Sequence, residues 1–290
     1  MRNLLSLSQL TLEEIQELLD LSQQLKDHKI KSQLTNKKIA NLFFEPSTRT
    51  HYSFITAQHN LNCHPIDFAP GTSSIIKGET FYDTVKVFES FGVDAIVIRH
   101  NENYWYKHLV GKIKVPLINA GDGAKDHPTQ SLLDLLTIKQ QFKTFKNLNV
   151  LIVGDILHSR VAHSNIAIMK RLGMNVFVSA PQKFQDKQYS YVDFDTYLPK
   201  VDVINMLRIQ KERIHDDINI DIKMYNKQFG LTSTRVKMLK PSAIIIHPAP
   251  VNRNVEIDDA VMESKHSKIF SQIENGVYVR MAVLLWTLHK

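Results

Sequence analysis

Short apolar runs alternate with amphipathic stretches along nearly the whole chain, and this alternation leaves few folds open. Residues 39–44, 95–99 and 115–119 have the length and composition of strands, and helical spacing follows near 48–60, 80–91 and 128–142. A second series opens with Val150-Leu151-Ile152-Val153-Gly154, continues as a helix over 161–172, and adds strands at 175–179, 201–205 and 243–246. Repeated strand–helix succession predicts an α/β fold with parallel sheets. At 290 residues the chain exceeds the usual single-domain size. Two series joined through the 128–142 helix therefore predict two similar-sized domains, each a parallel sheet flanked by helices. Thr11-Leu12-Glu13-Glu14 is a capping box that opens the first helix, with Leu12, Ile15, Leu18 and Leu19 as its apolar stripe. A last helix, about 271–289, places Ile273, Val277, Met281, Leu284 and Leu285 on one face.

Composition narrows the function classes. The 36 Lys+Arg against 29 Asp+Glu give a net charge of +7, which suits nucleic acid, an anionic membrane or small anionic substrates. The basic residues are scattered, and no stripe of Lys and Arg interleaved with aromatics marks a nucleic-acid groove. Cys63 is the only cysteine, so there is no internal disulfide and no multi-thiolate zinc site, and a reducing cytosol fits. The opening Met1-Arg2-Asn3-Leu4-Leu5-Ser6 lacks a signal-peptide apolar region, and nothing approaches the roughly 20 apolar residues of a membrane span. A soluble, cytoplasmic protein is expected.

Seven segments carry residues suited to chemistry, most of them at the end of an apolar run. Phe43-Phe44-Glu45-Pro46 leads into Ser47-Thr48-Arg49-Thr50 where a helix begins. Free amides at a helix N-terminus favour phosphate, hydroxyls add donors, and Arg49 offers a bidentate fork. An ordinary cap with a surface arginine would explain part of this, but hydroxyls on both sides of the arginine exceed what a cap needs. Ser73-Ser74-Ile75-Ile76-Lys77-Gly78-Glu79-Thr80 precedes the next helix. Gly78 permits a tight turn there, and Lys77 is an anion ligand or simply a solvated loop lysine. Arg99 ends the run Val97-Ile98, in the place where open α/β sheets bind ligands or where an arginine merely reaches water.

The fourth segment runs from Asn119 to Gln130 and contains His127-Pro128-Thr129-Gln130, with proline in the first helical turn. His127 and Gln130 are three apart and share a helical face. His127 reads better as a donor to a carbonyl oxygen than as a metal ligand, since no carboxylate stands at helical spacing beside it. Gly154-Asp155-Ile156-Leu157-His158-Ser159-Arg160 resembles a dinucleotide turn only at its first glycine, which argues against a nicotinamide cofactor. The last two are Met206-Leu207-Arg208-Ile209-Gln210-Lys211-Glu212-Arg213 and His247-Pro248-Ala249-Pro250-Val251-Asn252-Arg253. The second is stiff and leaves backbone carbonyls to read an N–H group.

Taken in order, these segments resemble the carbamoyltransferase family, over nearly the whole chain from Leu42 to Asn275-Gly276-Val277-Tyr278-Val279-Arg280. Lys77-Gly78-Glu79-Thr80 and the Arg208–Arg213 pattern are similar to the aspartate-specific branch. Ala249 stands where many members of that branch have leucine, a change that a backbone carbonyl ligand tolerates.

The resemblance implies transfer of the carbamoyl group of carbamoyl phosphate to L-aspartate, the second step of de novo pyrimidine biosynthesis, with no cofactor and no metal. It implies a carbamoyl-phosphate-binding domain over 1–133, with the C-terminal helix 273–290 packed back on it, and an aspartate-binding domain over 134–272. Ser47, Thr48, Arg49 and Thr50 would hold phosphate, with Arg99 bridging phosphate and carbonyl. Thr50, Arg99 and His127 would polarise the carbonyl oxygen. Gln130 and the carbonyls around Pro248, Ala249 and Pro250 would hold the carbamoyl nitrogen. Arg160, Arg208 and Gln210, with Lys77, would grip aspartate. Ser73 and Lys77 would come from a neighbouring subunit of a homotrimer with shared sites. Whether regulatory chains or a dihydroorotase bind is not legible.

Two other readings make distinct demands. A carbamoyltransferase for ornithine or a related amine would want a carboxylate where Arg208 stands. An anion-binding regulatory module would not need Thr50, Arg99, His127 and Gln130 together.

Overall fold

The computed structural model describes residues 2–209 and 222–289, which divide into two compact units, Met1–Leu136 with Ile273–Lys290 and Thr137–Gln272. Each unit is built on a four-stranded sheet in which every pairing is parallel.

In the first unit, β1 (Lys38–Phe43), β2 (His64–Phe68), β3 (Ala95–His100) and β4 (Leu117–Asp122) lie in the order β2-β1-β3-β4. Helices α1 (Leu12–Lys26), α2 (Thr48–Asn60), α3 (Phe81–Ser90) and α4 (Pro128–Phe142) belong to the same stretch of chain. The capping box of α1 forms, with Thr11 and Glu14 exchanging side-chain and backbone bonds. Strands β1, β3 and β4 are largely buried on both faces, as parallel sheets require. Ala40, Leu42, Ile96 and Ile98 pack with Val85, Phe88, Trp105 and Leu109 on one face. Between them on β1 sits Asn41, fully buried, whose amide exchanges reciprocal hydrogen bonds of 3.0 and 2.8 Å with Gln58 of α2. That pair ties the C-terminal part of α2 to β1.

In the second unit, β5 (Asn149–Val153), β6 (Asn175–Ser179), β7 (Val203–Met206) and β8 (Ile244–Ile246) lie in the order β6-β5-β7-β8. The helices are α5 (Arg160–Arg171), the short α6 (Phe194–Tyr197), α7 (Ile222–Phe229), and the short α8 (Ser233–Val236) and α9 (Asp259–Met262). Leu151, Val153, Ile204, Met206 and Ile245 form a core with Phe194, Leu198, Leu231 and Val261.

The long last helix, α10 (Ile269–Leu288), belongs to the first unit from Ile273 onward and packs within it. Lys26 of α1 donates to Glu274 at 2.9 Å and to Asn275 at 2.7 Å, Asn60 at the end of α2 donates to the Met281 sulfur, and the Arg2 guanidinium lies 5.2 Å from the Trp286 ring. Among the described residues no helix is long and apolar enough to cross a membrane.

The sequence expectations need adjusting in places. β2 was not anticipated. It is an edge strand with Pro65 in it and a mostly half-exposed pattern, so it lacks the continuous apolar run of its neighbours. β4 starts at Leu117, beyond Pro116, whose nitrogen has no proton to donate, and continues to a fully buried Asp122. On α10, Ile273 is exposed, whereas Gln272, Asn275 and Arg280 are buried, so the apolar stripe misplaces the buried face at the start of the helix. Leu12 is likewise exposed, since it opens the first turn of α1 where the stripe has little to pack on.

Candidate active site

In each sheet the order in which successive strands are added reverses at one point. In the first, β1 pairs with β2 on one side and β3 on the other; in the second, β5 does the same with β6 and β7. Ligands of open α/β sheets bind outside the carboxyl ends of strands at such switch points. The first lies between the ends of β1 and β3, where Phe43 pairs with Arg99. The second lies between the ends of β5 and β7, where Val153 pairs with Met206.

At the first switch point, Ser47 is the N-cap of α2, yet its side chain makes no capping bond. Thr48 and Arg49 are exposed in the opening turn, and Thr50 is buried. Thr50 Oγ1 lies 3.5 Å from His127 Nε2, a long contact of the kind that tightens when a substrate docks. Arg99 is mostly buried, its Nε 3.3 Å from the Glu45 carboxylate and its Nη1 donating to the Ala120 carbonyl at 3.4 Å. It does not simply reach into water.

His127 is delivered by a loop that Asp122 braces. The buried Asp122 carboxylate accepts from the Asp126 amide at 2.6 Å and the Tyr104 amide at 3.2 Å, and the Asp122 amide donates to the Asp126 carbonyl. Gln130 follows in the first turn of α4, and its amide nitrogen donates to Asp134 at 2.9 Å. With its N–H group held there, the Gln130 carbonyl oxygen is the end left to accept from a ligand.

Ser73 and Lys77 lie on an excursion between β2 and α3. Ser73 caps a short 3-10 turn over Ser74–Lys77, accepting from the Ile75 amide, and its hydroxyl donates to the Pro70 carbonyl at 2.8 Å. Lys77 ends that turn, exposed, before Gly78 at φ 91°, a left-handed conformation suited to glycine. Thr80 then caps α3 through the Asp83 amide.

At the second switch point, Gly154 leaves β5 at φ 127°, and a Cβ there would meet the Leu207 carbonyl oxygen at 3.0 Å. Glycine thus lets the chain after β5 pass close to the chain after β7. Asp155, fully buried, accepts from the His158 amide at 3.1 Å, and its carboxylate meets the His158 ring at 3.0 Å. Ser159 caps α5, and Arg160 is its first residue, buried at the positive end of the helix. A cation at a helix N-terminus opposes the helix dipole, so this placement makes sense where an anion is to be received.

Arg208 is half-buried two residues beyond β7. The adjoining Ile209 amide donates to Glu256 at 2.9 Å, and Glu256 also accepts from the Asn252 backbone at 2.8 Å and side chain at 2.7 Å. Burial pushes the Glu256 carboxyl above the usual range. Gln210, Lys211, Glu212 and Arg213 lie outside the described residues.

After β8, the Ala249 amide donates to His247 Nδ1 at 2.8 Å, and the prolines on either side have no N–H. Pro248, Ala249 and Pro250 therefore present only carbonyl oxygens, suited to binding a donor. Among the described residues no group of three or more His, Cys, Asp or Glu is placed to hold a metal ion.

Sequence patterns give no role to the supporting carboxylates, among them Glu45, Asp122, Asp134 and Glu256. Glu45 stands inside the first segment, and Asp134 lies one helical turn beyond Gln130, so both were within reach of spacing arguments. Glu256 takes Asn252 from four residues upstream, but its Ile209 partner is brought to it only by the fold.

Residues 2–140 match the family described as aspartate/ornithine carbamoyltransferase, carbamoyl-P binding domain, and residues 146–287 match its Asp/Orn binding domain. The chain belongs to the aspartate/ornithine carbamoyltransferase family. Within the family it is 48% identical to the aspartate carbamoyltransferase catalytic subunit of Listeria innocua, over 98% of this chain and 95% of that one. It is also similar to a solved aspartate transcarbamoylase of Trypanosoma cruzi in complex with carbamoyl phosphate and aspartate, at 28% identity and TM-score 0.89, covering 99% of this chain and 96% of that one. An ornithine carbamoyltransferase of Pyrococcus furiosus gives 29% identity and TM-score 0.87, covering 99% and 97%. The fold is thus common to both carbamoyltransferase branches, and side chains must separate them.

Proposed function

We propose that the chain transfers the carbamoyl group of carbamoyl phosphate to the amino group of L-aspartate, releasing phosphate and N-carbamoyl-L-aspartate. The observation that carries this reading is the pair of switch points. One gathers Thr50, Arg99 and His127 beside the start of α2, and the other carries Arg160 and Arg208, cations suited to carboxylates rather than to an ammonium. The 48% identity to an aspartate-specific relative supports the same choice of acceptor.

The chemistry asks for positioning and charge, not a protein nucleophile. The aspartate nitrogen bonds to the carbamoyl carbon, the bond from that carbon to the phosphate oxygen breaks, and the departing phosphate takes up the amine proton. Negative charge grows on the carbonyl oxygen meanwhile, where Thr50, Arg99 and His127 supply donors. The amides at the start of α2, with Ser47, Thr48 and Arg49, receive the phosphate. Gln130 and the carbonyls around Pro248, Ala249 and Pro250 accept from the carbamoyl NH2 group, which sets which face of the carbon meets the amine.

A homotrimer in which Ser73 and Lys77 complete a neighbour's site goes with this reading, as do a place in pyrimidine biosynthesis and residence in the cytoplasm. The exposed Lys77 suits a residue that acts away from its own fold. A reducing compartment suits Cys63, a buried free thiol whose pKa burial raises to about 11. The net charge of +7 draws in two anionic substrates.

The test is turnover with carbamoyl phosphate and either L-aspartate or L-ornithine at equal concentration. Aspartate is expected to be carbamoylated with ornithine near background. Preference for ornithine would assign the chain to the other branch.

A further inference from the structure

Arg280 sits midway along α10 and is 3% exposed, yet its partners are all neutral. Its Nη1 donates to the Gly276 carbonyl at 2.9 Å and to Ser53 Oγ at 3.0 Å, its Nη2 donates to Thr129 Oγ1 at 3.4 Å, and the guanidinium lies 5.1 Å from the Phe54 ring. Among the described residues no carboxylate pairs with it. A buried ion normally has an opposite charge beside it, because leaving water is costly. Burial alone pushes the pKa of this arginine down to about 9, which still leaves it charged at neutral pH. The helix is shaped to admit it: a Cβ at Gly276 would come within 2.6 Å of the guanidinium and 3.2 Å of Leu133.

What it touches gives the reason for keeping such a charge. Ser53 lies one turn beyond Arg49 and Thr50 on α2, and Thr129 lies between Pro128 and Gln130 in the first turn of α4. α2 carries Thr50, and His127 immediately precedes α4; their side chains meet. We propose that Arg280 is a positioning residue for carbamoyl transfer, clamping the opening turns of α2 and α4 to each other and placing a buried positive charge behind the phosphate and carbonyl sites. It rests on the assignment of Thr50, His127 and Gln130 to the active site. In a low-dielectric interior the field of that charge adds to the partial positive charge of both helix N-termini.

The full chain carrying Arg280→Met provides the test, with inorganic phosphate as the binding probe by calorimetry and steady-state kinetics beside it. Loss of the charge should weaken phosphate binding by roughly tenfold and lower kcat by a similar factor, as for a lost charge-assisted donor. The thermal midpoint should change little, because an unpaired charge leaves the core along with its bonds. Arg280→Lys should keep most of the phosphate affinity but not kcat, since one ammonium does not span both hydroxyls in the arginine's fork geometry. A folded Arg280→Met protein with parental phosphate affinity and kcat overturns the proposal, and a lowered thermal midpoint alone would mark Arg280 as structural only.

If Arg280→Met does not fold, the Ser53→Ala/Thr129→Val pair removes both hydroxyl partners and leaves the arginine in place. A severalfold or larger fall in kcat then supports the clamp, and a parental kcat overturns it. Thr50→Ala and His127→Ala in the same assays separate the two levels. If both keep parental kinetics, the site assignment fails and takes the inference with it. If both are impaired while the Arg280 and Ser53/Thr129 variants are parental, only the inference fails.

Discussion

At the residue scale, Arg208 of the second unit and His127 of the first should fail differently when removed. Arg208 stands where a substrate carboxylate would be held in ground state and transition state alike, so Arg208→Ala should raise the KM for aspartate by more than it lowers kcat. Losing a charge-assisted bidentate contact costs about 1.5–3 kcal/mol, or roughly ten- to a hundredfold in KM. An aspartate KM within twofold of the parent's, measured at saturating carbamoyl phosphate, would remove Arg208 from the site. His127 is a donor whose worth grows as charge moves onto the carbonyl oxygen. His127→Ala should therefore lower kcat with little change in either KM. A hundredfold loss is about the most to expect, since Thr50 and Arg99 remain. Substrate-saturated rates close to the parent's would mean that His127 serves only to hold Thr50.

Elements show where sequence patterns suffice and where they stop. Strands buried on both faces read as continuous apolar runs, so β3 and β5 were legible almost to the residue, and the α1 cap was legible from Thr11 and Glu14. The edge strand β2 was not, because Pro65 and Asp67 interrupt its pattern and only one side of it needs to pair. Nor was the polar side of α10, since helical periodicity treats Asn275 and Arg280 as solvent-facing and only the packed neighbours show otherwise. Most site segments are legible because they follow anticipated strand ends, but the carboxylates that brace them also reach across the fold, Asp122 to the Tyr104 amide and Glu256 to the Ile209 amide. The Asn41–Gln58 pair is of the same kind and carries a prediction. Gln58→Leu leaves the Asn41 amide buried and unsatisfied and should lower the unfolding free energy by about 1–3 kcal/mol, with Asn41→Leu acting similarly. Replacing both should cost clearly less than the sum of the two, because no orphaned amide remains. Additive losses in urea unfolding would show that the two amides are not coupled.

For the whole molecule, the question is whether one chain holds a complete site. Lys77 is exposed at the end of a 3-10 turn in the excursion between β2 and α3, a placement that serves a neighbour's site as readily as its own. In the proposed trimer each site takes His127 from one subunit and Lys77 from the next around the ring. A Lys77→Ala protein and a His127→Ala protein should then each be nearly inactive alone. Every trimer containing both types has a single interface where a native His127 faces a native Lys77, by the geometry of a closed heterologous ring. Three quarters of randomly mixed trimers contain both types, so an equal mixture should recover about a quarter of parental activity after dissociation and reassembly. Charge-tagged parents allow the mixed trimers to be separated and assayed by themselves, where about one native site in three is expected. Recovery that follows the mixed species through the separation places Lys77 across the subunit boundary. Verified mixed trimers as inactive as their parents would mean that Lys77 serves its own subunit, and that the shared-site reading is wrong even if the chemistry assigned to each residue stands.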